Sequence, residues 1–202
     1  MSNTVVGGFG GDSIVGGAAG DAIFANEDSD TVNAGDGANS IVGGLGNDSI
    51  ATGTGNDVVL GSEGNDYTFA SLGADTLAGG SGNDAFLYGA AAEDGNGAAG
   101  GAIETVTDLN WAEDAIDTVP VTFGRNYGAA FTSQGTLTSA ADAAVSTAFV
   151  EAGGGTVAAQ FVFGGRTFLT VDLDDDGSFL DANDLLIDIT GVTGTTSTAR
   201  FV

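Results

Sequence analysis

Eight aspartates recur at one phase of a nine-residue period: Asp12, Asp21, Asp30, Asp48, Asp57, Asp66, Asp75 and Asp84, with Asn39 at the remaining step. Each stands sixth in a glycine-rich unit, as in GGFGGDSIV from Gly7, GGLGNDSIA from Gly43, GSEGNDYTF from Gly61 and GGSGNDAFL from Gly79. Evenly spaced carboxylates in a chain without His, Cys or Lys suit all-oxygen ligation of a hard divalent cation. Oxygen donors select calcium over zinc or copper, and a pliable loop of carbonyls suits calcium better than magnesium. The same absences remove the usual bases and nucleophiles. An acid pair could hydrolyse a glycoside, but these acids are accounted for as repeat ligands, so no enzyme is expected.

Nine such units run without a gap from Gly7 to Leu87 and dictate how the acids are held. The first six residues of each unit read as a turn, with Gly clustered at positions one, two and four where tight turns need positive backbone angles. The last three read as a short strand whose middle residue points inward: Ile14, Ile23, Val32, Ile41, Ile50, Val59, Thr68, Leu77 and Phe86. Two units make one coil of 18 residues, and stacked coils give two parallel sheets face to face. Units two apart then lie above one another. Asp12, Asp30, Asp48, Asp66 and Asp84 form one column, and Asp21, Asn39, Asp57 and Asp75 the other.

One inward side chain per nine residues is too little apolar burial to offset the ordering of nine backbone residues. Stacked carboxylates without counterions add repulsion. A cation between successive turns reverses that sign, and adjacent pairs give four sites on the first column and three on the second.

The chain carries 28 acids against Arg125, Arg166 and Arg200, a net charge of −25. That argues against nucleic acid and anionic membrane surfaces as partners. There is no cysteine for disulfides, and no apolar run long enough for a membrane span. The opening MSNTVVGGFGGD lacks the basic and apolar regions of a signal peptide, so the expectation is a soluble chain whose export signal lies elsewhere.

After Tyr88 the period fails. Residues 89–102 read as a degenerate unit or linker with Glu93 at the sixth phase, dividing a roll (1–88) from a C-terminal region (103–202). Strand-like runs there are Ile103–Leu109, Ala115–Phe123, Val157–Phe163, Thr167–Val171 and Leu185–Ile189, with one short helix over 140–152 capped by Ser139. Asp172, Asp174, Asp176, Gly177 and Asp184 form a D-x-D-x-DG loop with a later acid, either a calcium site or a solvated acidic turn. Asp114 and Asp117 read as a solvated loop in preference to an ion site.

The repeat resembles the RTX family of calcium-binding β-roll proteins, and IETVTDLNWAEDAIDTV with FVFGGRTFLTVDLDDDGSFLDANDLLIDITG resembles the C-terminal cap of type I secretion substrates. The resemblance implies an all-β protein: a right-handed parallel β-roll (solenoid) followed by a mainly β cap with one short helix. It implies ions held by carbonyls of positions two and four of one turn, positions one and three of the turn a coil later, and both sixth-position carboxylates. The sites are then Gly44, Gly46 and Asp48 with Gly61, Glu63 and Asp66; Ser62, Gly64 and Asp66 with Gly79, Ser81 and Asp84; and Gly53, Gly55 and Asp57 with Ala70, Leu72 and Asp75. Gly8, Gly10, Asp12, Asp21 and Asp30 would serve sites nearer the N-terminus, where Ala19, Ala25, Asn26, Glu27, Asp28 and Asn39 depart from the pattern. About seven Ca2+ ions are expected in the roll, and one more is a candidate in the C-terminal region.

The resemblance further implies a bacterial protein that is secreted or held at the cell surface. Its partner would be a type I secretion exporter reading an uncleaved signal within 191–202. The rival expectation is a structural surface-layer or adhesin-type protein whose calcium roll mediates self-association or cell-surface attachment.

Overall fold

The structure is a computed structural model that describes residues 1–88, 103–110, 112–117, 122–126, 157–172 and 185–192. Twelve short strands make the roll: β1 (Thr4–Gly8), β2 (Ser13–Gly17), β3 (Ala22–Glu27), β4 (Thr31–Gly35), β5 (Ser40–Leu45), β6 (Ser49–Ala51), β7 (Val58–Glu63), β8 (Tyr67–Ala70), β9 (Thr76–Ser81), β10 (Ala85–Tyr88), β11 (Glu104–Val106) and β12 (Ala115–Asp117). Four more follow: β13 (Thr122–Asn126), β14 (Val157–Phe163), β15 (Arg166–Asp172) and β16 (Leu185–Asp188). Among the described residues there is no helix, and the expected one over 140–152 lies outside them.

Even-numbered strands β2 to β12 form a six-stranded parallel sheet, and odd-numbered strands β1 to β11 form the parallel part of a ten-stranded sheet. The registers Thr4↔Ala22, Ser13↔Thr31 and Ser40↔Val58 each step by one coil of two units. The chain is therefore an all-β parallel solenoid. Its core is the expected column of eighth-position side chains, Ile14, Ile23, Val32, Ile41, Ile50, Val59, Leu77 and Phe86.

The strands are longer than a three-residue tail. β3, β5, β7 and β9 run through position three of the next unit. Alternation along an extended chain turns positions six, eight and one inward together, so Ala25, Ala34 and Ala70 join the core with no exposed surface. One inward residue per unit was too few, because the strand pleat continues across the unit boundary.

Both sheets also continue past the gap after Tyr88. β11 pairs in parallel with β9 through Thr105↔Thr76, and β12 with β10 through Ala85↔Ala115. Sheet order then runs β11-β16-β15-β14-β13, with β16 parallel to β11 and β15 antiparallel to both β14 and β16. Val106, Leu109, Ile116, Ala158, Leu169, Val171, Ile187 and Ile189 extend the same core. The sequence-derived run Val157–Phe163 coincides with β14, and Thr167–Val171 and Leu185–Ile189 match β15 and β16 to within a residue at each end. Ile103–Leu109 forms a strand only over the three residues of β11, and Ala115–Phe123 divides between β12 and the start of β13. Arg166 pairs with the fully buried Asp188 carboxylate, and its guanidinium lies 5.5 Å from the Phe168 ring centroid.

Candidate metal centres

Each turn bends because particular residues accept left-handed backbone. Positive φ falls at position two (Gly8, Asn26, Gly35, Gly44, Gly53, Ser62, Gly80) and position four (Gly10, Asp28, Gly37, Gly46, Gly55, Gly64, Gly73, Gly82). Gly is the low-cost residue there, and Asn or Asp tolerate it best among the rest. Gly17, Ala19 and Ser71 are absent from that set, so the turns of Gly16–Phe24 and Ala70–Ala78 are shaped differently.

Position one is glycine in five of the nine units, for another reason. A Cβ on Gly43, Gly61 or Gly79 would overlap Oδ2 of the aspartate five residues on, and one on Gly7 would come within 2.7 Å of Asp12 Oδ2. Turn, cradle and carboxylate therefore converge on one small volume.

The sixth-position side chains form a hydrogen-bonded rail. Oδ1 of Asp30 accepts from the Asp12 amide at 2.6 Å, that of Asp48 from Asp30 at 2.8 Å, that of Asp66 from Asp48 at 2.9 Å and that of Asp84 from Asp66 at 2.9 Å. The second column repeats this through Asn3, Asp21, Asn39, Asp57 and Asp75. Asp48 and Asp66 are each 2 % exposed. The other carboxylate oxygen has no donor: Oδ2 of Asp12, Asp21, Asp30, Asp48, Asp57, Asp66 and Asp84 is buried without a hydrogen bond.

A buried, half-satisfied carboxylate is costly unless a cation meets it. The proton affinities register that cost. Burial, with the charges of Asp66 and Asp30 adding to it, pushes the Asp48 carboxyl up to about 6 against the lowering effect of the Asp30 amide. Burial does the same to Asp84, assisted by the Asp114, Asp66 and Asp108 charges, and to Asp75, assisted by Asp57; both reach about 6. Asp57, Asp66 and Asp114 are raised from the same first cause, burial.

The two columns run on beyond Asp84. The Asp75 amide donates to Glu104 Oε2 at 2.9 Å, and the Asp84 amide to Asp114 Oδ1 at 3.1 Å. Glu104 thus holds the sixth position of one further unit and Asp114 that of another, with Val106 and Ile116 at their eighth positions. By the nine-residue phase that place falls to Glu93, outside the described residues, and Asp114, expected in a solvated loop, is instead 4 % exposed. The missed signal was an acid followed two residues later by an apolar residue, displaced from the nine-residue phase. Asp108, set between these units, accepts from the amides of Gly79 and Gly80 at 3.0 and 2.9 Å.

Sequence-derived ligands Gly44, Gly46, Asp48, Gly61, Glu63 and Asp66 lie on adjacent coils, with Gly44↔Ser62 and Leu45↔Glu63 in register. The same holds for Ser62, Gly64, Gly79, Ser81 and Asp84, and for Gly53, Gly55, Asp57, Ala70, Leu72 and Asp75. Third-position carbonyls are already in use once: Glu63, Leu72 and Ser81 accept from the amides of Gly46, Gly55 and Gly64 at 2.8, 2.8 and 2.9 Å. Each keeps its second lone pair. Among the described residues no three acids converge as a ready-made metal cluster. Asp174, Asp176 and Asp184 lie outside the described residues, and Asp172 is described only as the end of β15.

The RTX calcium-binding nonapeptide repeat model, four copies of the repeat in length, matches residues 1–32, 33–68 and 60–92. No curated protein sequence matches the chain. Among solved structures it is similar to the AlgE6R3 subunit of the Azotobacter vinelandii mannuronan C5-epimerase, at 20 % identity and a TM-score of 0.49, covering 88 % of this chain and 78 % of that one. Among the described residues no helix is long and apolar enough to cross a membrane.

Proposed function

From the RTX calcium-binding repeats of residues 1–92, we propose an extracellular calcium module that is exported by a type I secretion system and folds on meeting calcium outside. One observation carries it: a file of buried aspartate oxygens with no donor, five of them on one column. The residues fit the ion. Along Asp48, Asp66 and Asp84 each successive pair offers two carboxylates, and glycine at position one (Gly43, Gly61, Gly79) keeps the space beside them free of side-chain carbon. Gly44, Gly46, Asp48, Gly61, Glu63 and Asp66 would hold one ion, and the corresponding residues of the other coils the rest. The pairs Asp75–Glu104 and Asp84–Asp114 would extend both columns.

Calcium at about 100 times the dissociation constant stabilises each site by about 2.7 kcal/mol. Where calcium is scarce that contribution vanishes and the acid columns repel. A chain kept unfolded inside the cell suits threading through an exporter, and binding then drives folding outside. With no His, Cys or Lys and the buried repeat aspartates committed to the columns, the chain is read as non-catalytic.

A surface-layer role rests on open sheet ends that could stack between molecules. β16 occupies the edge of β11, which removes one of those ends and favours the secretion module. Light scattering during a calcium titration tests both. A monomer that contracts supports the module, growth into large assemblies supports the surface-layer role, and no change in size with calcium would overturn the proposal.

A further inference from the structure

The two acid columns are not built alike. On the column that enters the six-stranded sheet, Asp12, Asp30, Asp48, Asp66 and Asp84 all leave Oδ2 without a donor. On the column that enters the ten-stranded sheet, two of the four corresponding groups are satisfied by the protein itself. Asn39 is 3 % exposed; its Oδ1 accepts from the Asp21 amide at 2.8 Å. Its Nδ2 donates to the carbonyls of Gly37 at 2.9 Å, Gly35 at 3.2 Å and Thr52 at 3.5 Å. Those carbonyls occupy positions four and two of its own unit and position one of the next coil, the positions from which an ion between Asn39 and Asp57 would draw its oxygens. The Asp75 carboxylate also has a donor, since Thr52 Oγ1 reaches its Oδ2 at 3.3 Å.

We propose that the Asn39 side-chain amide is a built-in substitute for a cation: the place between the Asn39 and Asp57 turns holds no calcium, and the coil around it closes without one. The inference rests on the calcium reading above and adds where calcium is not used. Amide hydrogens carry the partial positive charge that the converging carbonyls require, at no cost in net charge. A calcium ion there would have to expel the NH2 group and would find only one carboxylate, Asp57, where pairs without Asn39 offer two; fewer charged ligands mean weaker binding. Position one agrees. From Ala34 onward this column carries Ala34, Thr52 and Ala70, after Gly16, where the other, after Ala25, carries Gly43, Gly61 and Gly79, so side-chain carbon stands beside Asn39 and Asp57 where the facing units keep a cradle. The roll thus has one calcium-dependent rail and one partly self-neutralised rail, and the coil at Asn39 forms at calcium too low to fill the opposite column.

The test is the number of calcium ions bound at saturation by the full chain, by equilibrium dialysis against calcium alone, for the wild type and Asn39→Asp. The variant restores the second carboxylate and removes the amide, and one additional ion is expected. An unchanged count beside a wild type that binds calcium overturns this inference alone; a wild type that binds none overturns the proposed function with it. A second measurement holds even if the variant fails to fold. In the calcium-saturated wild type, the Asn39 side-chain NH2 protons should exchange with solvent at least tenfold more slowly than those of the exposed Asn83. Equal exchange rates would overturn the inference.

Discussion

The two sides of one solenoid differ in how they settle the same problem. From Asp21 to Asp84 both bury a carboxylate or carboxamide at the sixth position, and both bond one oxygen of it to the backbone a coil away. On the side of Asp48, Asp66 and Asp84 the second oxygen is left over, and position one stays glycine at Gly43, Gly61 and Gly79 so that a cation fits. On the side of Asn39 and Asp75, an amide and a threonine hydroxyl supply the donors, and methyl groups occupy the cradle. A repeat can therefore hold its period while exchanging an external ion for an internal hydrogen bond, one side chain at a time.

The largest contrast comes from position one. Gly61→Ala would set a methyl 2.5 Å from the Gly79 carbonyl oxygen and overlap Asp66 Oδ2. It should cost about 3 kcal/mol, the upper range for overpacking, whereas Ala70→Gly on the other side should cost about 1 kcal/mol. Urea unfolding in saturating calcium measures both, and equal losses would erase the distinction between the columns.

Next in size is Asp66→Asn, which copies Asn39 onto the calcium side. It should remove about 2.7 kcal/mol of calcium stabilisation at 100 times the dissociation constant, yet make the calcium-free chain more stable. Opposite signs with and without chelator are the outcome to look for in thermal melts. Destabilisation in both would mean the carboxylate matters for packing and not for the ion.

Acidity offers a third lever. Asp48, Asp84 and Asp75 bind their protons more tightly folded than unfolded. The calcium-free roll is thus most stable below about pH 4, the unfolded carboxyl range, and loses that contribution as pH rises through about 6. Calcium must displace those protons, so the calcium midpoint should rise as pH falls below about 6. A midpoint independent of pH between 5 and 7 would contradict the buried state of these acids.

The smallest effect belongs to a rail that needs no ion on either account. Exposed Asn47 and Asn65 accept from the amides of Asn65 and Asn83 at 2.7 and 2.8 Å. Asn65→Ala should cost about 1 kcal/mol, one hydrogen bond, by the same amount with and without calcium in a denaturant titration.

Much of this was legible in the sequence. A strict nine-residue period with Asp sixth and an apolar residue eighth yields coil length, register and columns, because stacking leaves no freedom once the repeat is known. The inward-facing position one was harder to read, since Gly there looks like a turn residue until Asp66 Oδ2 is seen against it. Glu104 and Asp114 were hidden by the phase break after Tyr88: periodicity locates residues only while it lasts, and the strand pairing restores the columns across the gap. Asn39 was legible as a departure. That its amide meets three carbonyls required the fold.

If calcium on the acid columns decides whether the roll exists, far-ultraviolet circular dichroism of the full chain will register it. The titration should run from chelator to about 10 mM calcium, which spans extracellular affinities. The account predicts a weak β signal in chelator and a cooperative rise as calcium is added. A full β signal in chelator, unchanged by calcium, would contradict it.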